Sequence, residues 1–207
     1  ISEKFTDHIT PNELNEVIQY MKMWHLLYKD HFPKSSKRYA YRNAFLLVLY
    51  AITGARGKEA VLIKLKDIEL EREGNKYYYI IKIENGKGKK KREVAIEKEH
   101  IHQFMLYFKS QLPNENYYIS SSYKKGVGYT NKPISIDTIR VFGNRILQIL
   151  GIKKSGLHAF RRGYATKRIS QDGATGSEVA KEMGNTPEIL EKHYFKHDAR
   201  VSLKRRV

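Results

Sequence analysis

The amino-acid sequence predicts a mainly α domain carrying one small antiparallel β-sheet, an α+β fold. Three observations predict it. Apolar residues recur at helical spacing through most of the chain. One run, "AFLLVLYAI", is apolar on every side, as a central buried helix must be. A single pair of β-rich runs, "YYYIIKI" and "REVAI", flanks the glycine- and lysine-rich "ENGKGKKK", which is the pattern of a hairpin. The 207 residues suffice for one main domain with a real core, and a hydrophobic content of 41% excludes wholesale disorder. No apolar run approaches the length that a membrane-spanning helix needs.

The first helix is announced by Thr10 as N-cap, Pro11 at the first helical position and Glu13 three residues after the cap, a capping box. Leu14, Val17, Ile18, Met21 and Leu26 then give "TPNELNEVIQYMKMWHLLYKDHF" one buried face. The apolar helix runs from about Arg38 to Thr53, with Gly54 as its C-cap. "GKEAVLIKL" reads as a short helix, and the hairpin follows. A helix from about Glu97 to Leu112 comes next, then a short "YYI" segment and a loop, "SSSYKKGVGYTNKP". Four helical stretches complete the chain: "SIDTIRVFGNRILQIL", "LHAFRRGYATKRI", "GSEVAKEM" and "TPEILEKHYF", the last capped by Thr186 with Pro187 behind it.

Charge narrows the partners. The chain holds 39 Lys+Arg against 22 Asp+Glu, a formal +17, and this excess points to a polyanion such as nucleic acid. Cysteine is absent, which excludes disulfides and thiolate metal sites. No carboxylate cluster suited to Mg²⁺ stands out, so a metal-dependent nuclease is disfavoured. The opening "ISEKFTDH" resembles neither a signal peptide nor a transit peptide.

Four local patterns carry chemistry, and each alone has an ordinary structural explanation. Arg56 in "TGARGKE" lies just past the apolar helix, with Glu59 three residues later to fix its guanidinium. Lys87 lies between glycines in the hairpin, followed by Lys89, Lys90, Lys91 and Arg92. His158 and Arg161 stand one helical turn apart in "HAFRRGYAT", with Arg162 next to them. Asn185 in "MGN" precedes Tyr194 by nine positions.

In this order and spacing the patterns resemble the catalytic domain of the tyrosine recombinases, the phage integrase-like family, whose motifs are TGxRxxE, GKGxKxR, HxLRHxxAT and LGH with a tyrosine nine residues on. The resemblance extends from about Arg38 to Tyr194. It implies a tyrosine recombinase catalytic-domain-like fold and a DNA strand-breaking and rejoining enzyme that needs no cofactor or metal. Arg56 and Arg161 would clamp the scissile phosphate, and Tyr194 would be the nucleophile forming a 3′-phosphotyrosine. His158 would serve as base and Lys87 as general acid, with Lys89 a rival for that role. Asn185 would position the phosphate, Glu59 would support Arg56, and Lys89, Lys90, Lys91, Arg92 and Arg162 would contact DNA.

Two departures from the motifs matter: Asn185 replaces the usual His or Trp, and Arg162 replaces a His. The resemblance further implies double-stranded DNA as partner, a homo-oligomer (tetramer) on DNA, no membrane association, and a cytoplasmic, nucleoid-associated location. The expected organisation is residues 1–207 as catalytic domain, a tail at 195–207 exchanged between protomers, and a core-binding domain missing from the N-terminal side. Two alternatives stay open, a DNA-binding module of the same fold with impaired catalysis and a type IB topoisomerase-like enzyme.

Overall fold

The computed structural model describes residues 8–34, 36–84 and 91–190. At its centre lies α3 (Lys37–Thr53), whose residues Phe45 to Tyr50 are all buried, so along this stretch no face of the helix is left for solvent. Around it pack α1 (Pro11–Lys22), α5 (Lys98–Gln111), α6 (Ile136–Ile149) and α7 (Leu157–Ser170). The capping box of α1 forms as expected: the Thr10 amide donates to Glu13 Oε2 at 2.7 Å and the Glu13 amide to Thr10 Oγ1 at 3.3 Å.

The long first helix is broken. Met23 ends α1 and starts α2 (Trp24–His31), and the change of direction drives Trp24 into the core. Leu26, expected on the buried face, is thereby turned outward and 67% exposed. After α3 the short α4 (Gly57–Val61) gives way to a single 3₁₀ turn at Leu65–Asp67 rather than continuing through "LIKL".

The sheet has three antiparallel strands in the order β1-β2-β3: β1 (Ile68–Glu73), β2 (Lys76–Ile83) and β3 (Arg92–Glu97). Its first strand, "IELERE", escapes sequence reading because it is an edge strand with only Ile68 buried, so four charged residues mask its period. The supposed loop after α5 is a second hairpin, β4 (Ser121–Lys124) with β5 (Gly128–Pro133), held by the pairs Tyr123 with Tyr129 and Lys124 with Gly128. The "YYI" segment forms no strand; Tyr118 makes one isolated bridge to Lys64. The final stretches form α6, α7, α8 (Gly176–Met183) and α9 (Pro187–Leu190). Lys87, Lys89 and Lys90, together with Tyr194 and the tail, lie outside the described residues.

Candidate active site

The site begins where the most hydrophobic helix stops. Gly54 caps α3 in the left-handed conformation (φ +57°), and a Cβ there would stand 2.5 Å from the Tyr164 ring, so only glycine fits. The turn carries Arg56 to the N-cap of α4. The Arg56 amide donates to Glu59 Oε2 at 2.8 Å, and its Nη1 donates to Glu59 Oε1 at 2.9 Å. From β3, Arg92 reaches the same carboxylate with both terminal nitrogens, Nη2 to Oε2 at 2.7 Å and Nη1 to Oε1 at 3.1 Å. Glu59 is only 2% exposed. Burial alone would raise its carboxyl, but the hydrogen bonds and charge of Arg92 and Arg56 outweigh that and lower it to about 2.

The other wall is the end of α8. Gly184 adopts φ +64°, its amide bonds to the Lys181 carbonyl at 3.0 Å, and the Asn185 amide bonds to the Ala180 carbonyl at 2.8 Å, which is a Schellman motif. The helix therefore ends with its Met183 and Gly184 carbonyls turned outward, at the negative end of its dipole. Two arginines occupy them. Arg56 Nη2 donates to the Gly184 carbonyl at 2.9 Å, and Arg161 Nη2 donates to the Met183 carbonyl at 2.8 Å. Arg161 Nη1 also bonds the Gly54 carbonyl. Carbonyls of adjacent residues hold the two guanidinium groups, and adjacent Cα atoms are about 3.8 Å apart. Residues distant in sequence thus meet at one spot.

Asn185 completes the cluster. Its Oδ1 accepts from Arg56 Nη2 at 2.8 Å. A guanidinium can only donate, so the side-chain oxygen is fixed toward Arg56 and the amide NH₂ is left for another acceptor. The residue that departs from the family motif therefore keeps a donor at this position.

The remaining expected residues fall into three groups. His158 lies exposed in the first turn of α7, while Arg161, one turn further, is buried (5% exposed). That first turn abuts the start of α4, since a Cβ on Gly57 would lie 3.6 Å from Leu157 Cδ1. Arg162 is half-buried on the same helix, and Lys91 is exposed beside Glu84 at 3.3 Å. Arg92 holds buried Glu59 through both terminal nitrogens and its side chain is 9% exposed, so it braces Arg56 through the shared carboxylate. Lys87, Lys89, Lys90 and Tyr194 belong to segments outside the described residues.

Sequence reasoning missed one brace altogether. Tyr164 Oη donates to Glu182 Oε2 at 2.6 Å, and Arg168 holds Glu182 through Nε at 3.0 Å and Nη2 at 2.7 Å. This network ties α7 to α8, and its Tyr164 ring backs Gly54. The signal was present: Tyr164 follows Arg161 by three positions and Arg168 follows Arg161 by seven, which places all three along one side of a helix.

The sequence matches the phage integrase family over residues 8–200. The chain belongs to that family. No curated protein sequence matches this integrase-family chain significantly. Among solved structures it is similar to XerH site-specific recombinase bound to its difH substrate in a pre-cleavage complex, with TM-score 0.71 and 22% identity, over 99% of this chain and 55% of that one. It is also similar to XerA recombinase, with TM-score 0.68 and 18% identity, over 98% of this chain and 65% of that one. A third similar structure is the Tn1549 transposon integrase (residues 82–397) in complex with circular intermediate DNA, with TM-score 0.54 and 15% identity, over 100% of this chain and 68% of that one. The integrase-family chain spans between half and just over two thirds of these chains. At such identities the likeness shows the fold, a tyrosine recombinase catalytic-domain fold, as the motifs implied. Among the described residues no helix is long and apolar enough to cross a membrane.

Proposed function

We propose that the chain is the catalytic domain of a site-specific DNA recombinase that cuts and rejoins strands through a covalent 3′-phosphotyrosine. One observation carries this reading: Arg56 and Arg161 come from separate helices and are fixed on consecutive carbonyls at the end of α8, with the Asn185 amide beside them. Two immobilised guanidinium groups and a neutral donor match a phosphodiester, whose non-bridging oxygens gather charge as phosphorus becomes five-coordinate. Their positions are set by main-chain carbonyls and a buried carboxylate before DNA arrives, so little reorganisation accompanies the reaction.

In the proposed reaction the Tyr194 oxygen attacks phosphorus and gives up its proton to His158, since a phenol with an ordinary pKa near 10 needs a base. The Tyr194–phosphorus bond forms and the phosphorus–O5′ bond breaks. Lys87, or its neighbour Lys89, supplies the proton to the departing 5′-oxygen. Rejoining is the same sequence reversed, with a 5′-hydroxyl as nucleophile, so bond energy is conserved and no cofactor enters. Lys90, Lys91 and Arg162 add positive charge for the duplex backbone.

The same reading includes assembly as a homo-tetramer on double-stranded DNA in the cytoplasm, with residues 195–207 exchanged between protomers. A DNA complex that scatters light as a monomer overturns that part.

The decisive experiment is incubation with a nicked suicide duplex. A protein–DNA adduct that survives denaturant, forms in EDTA and disappears in Tyr194→Phe supports the proposal. Duplex binding without any adduct from the wild-type chain identifies a binding module instead. Relaxation of supercoils with no strand exchange identifies a topoisomerase-like activity.

A further inference from the structure

The carboxylate that fixes Arg56 is itself fully occupied, and Arg92 supplies half of the occupancy. A carboxylate offers about four acceptor positions, two on each oxygen. On Glu59 they are taken by the Arg56 amide and Arg92 Nη2 at Oε2, and by Arg56 Nη1 and Arg92 Nη1 at Oε1. Arg92 sacrifices a donor of its own to do this, since its Nε is buried with no partner among the described residues. The two guanidinium groups lie side by side: a Cβ on Gly184 would stand 3.0 Å from Arg92 Nη1 and 3.5 Å from Arg56 Nη1. Two like charges share this space because both bond the same carboxylate.

This saturation decides which way Arg56 faces. Arg56 gives Glu59 only one side-chain nitrogen, Nη1, and turns Nη2 to the Gly184 carbonyl and Asn185 Oδ1. A guanidinium beside a carboxylate with room for it binds through two nitrogens, the stronger and geometrically matched contact. Without Arg92, two acceptor positions would stand empty on a carboxylate that is 2% exposed, and an unmatched buried charge draws in whatever donor is nearest. The nearest donor is the rest of the Arg56 guanidinium.

We propose that Arg92 is a positioning residue of the phosphate site: by occupying two of the four acceptor positions of Glu59 it keeps Arg56 Nη2 on the end of α8, and so keeps Arg56 aimed at the scissile phosphate beside Arg161. The proposal rests on the reading of Arg56 as a phosphate clamp. It gives Arg92 a part in the rate of cleavage and none in the grip on DNA.

The test is Arg92→Met, made in the wild-type chain and in Glu59→Gln. With the nicked suicide duplex at saturating protein, the substitution is expected to slow adduct formation about tenfold or more in the wild-type chain and less than about threefold in Glu59→Gln, where Arg56 has no carboxylate to turn to. Equal losses in the two backgrounds overturn the proposal. Duplex affinity and its salt dependence are expected to stay as in the wild type; a salt slope smaller by about 0.9 makes Arg92 a phosphate contact in its own right and equally overturns it. A crystal structure of Arg92→Met without DNA separates this inference from the reading it rests on. Arg56 is expected there with both terminal nitrogens on Glu59 and none on Gly184, and an Arg56 that has not moved refutes the proposal whatever the cleavage rate. A wild-type chain that forms no adduct defeats the recombinase reading instead, while the crystal structure still decides what Arg92 does to Arg56. If Arg92→Met does not fold, Arg92→Lys takes its place: one ammonium cannot span both carboxylate oxygens as a guanidinium does, so adduct formation about threefold slower or more at unchanged affinity is expected, and a wild-type rate counts against the proposal.

Discussion

Glu59→Gln is the most informative substitution, because it tests the frame that holds Arg56 and Arg92 without removing either. Gln has nearly the shape of a protonated Glu, so the variant approximates the wild-type chain with this single carboxyl neutral. The carboxyl is lowered from 4.5 to about 2 on folding. At about 1.4 kcal/mol per pH unit this corresponds to about 3 kcal/mol of stability from the charged form. Because the folded-state value is the depressed one, that stability is fully present above about pH 5 and is lost as pH falls toward 2. The assay is urea unfolding of both proteins from pH 7 to pH 3. The wild-type advantage is expected to be about 3 kcal/mol at pH 7 and about half of that at pH 3, since protonation is then under way. At pH 7 this amounts to a Tm difference of roughly 6–12 °C for a chain of this size. Two stability curves that run parallel over the whole range refute the reasoning, for they would mean that the carboxyl is not held low by the two arginines.

Three further expectations follow from the same geometry. Arg161→Ala depresses adduct formation by orders of magnitude while weakening duplex binding only modestly, because one phosphate clamp among many backbone contacts is lost; equal losses, measured by adduct yield and by equilibrium binding, would make Arg161 a structural residue. Asn185→Asp keeps the acceptor for Arg56 but replaces the amide donor with a negative charge, so Tm holds or rises while cleavage falls at least tenfold; unchanged cleavage removes Asn185 from the phosphate site. Gly54→Ala forces a Cβ to within 2.5 Å of the Tyr164 ring at a positive φ, and its cost is expected at about 2–4 kcal/mol by denaturant unfolding, with cleavage reduced because the Gly54 carbonyl orients Arg161; a cost below about 0.5 kcal/mol contradicts the described turn.

What the sequence determined by itself is the set of elements whose cause is local. The Thr10 cap, the apolar period of α3 and the glycine that stops it follow from short-range sterics and hydrogen bonding, and these appear where expected. The motifs likewise singled out Arg56, Arg161 and Asn185, which the fold brings together at the end of α8. Elements without a regular apolar period were not legible. The strand β1 exists because Ile68 and its neighbours find β2 to pair with, and β4–β5 folds as a hairpin over α3; neither has an alternating pattern to announce it. The break at Met23 is decided by where Trp24 finds room in the core, which no periodicity contains.

The same division runs through the site. Arg56 and Glu59 were readable as a pair because they are one helical turn apart. That Arg92 shares this carboxylate, and that Arg56 and Arg161 end on adjacent carbonyls of α8, depends on contacts between groups 22 to 128 positions apart. A lysine or arginine in sequence is only a charge. Whether it faces a phosphate or neutralises a buried carboxylate is set by which groups the tertiary fold brings within 3 Å of it, because desolvation makes an unmatched buried charge too costly to leave alone.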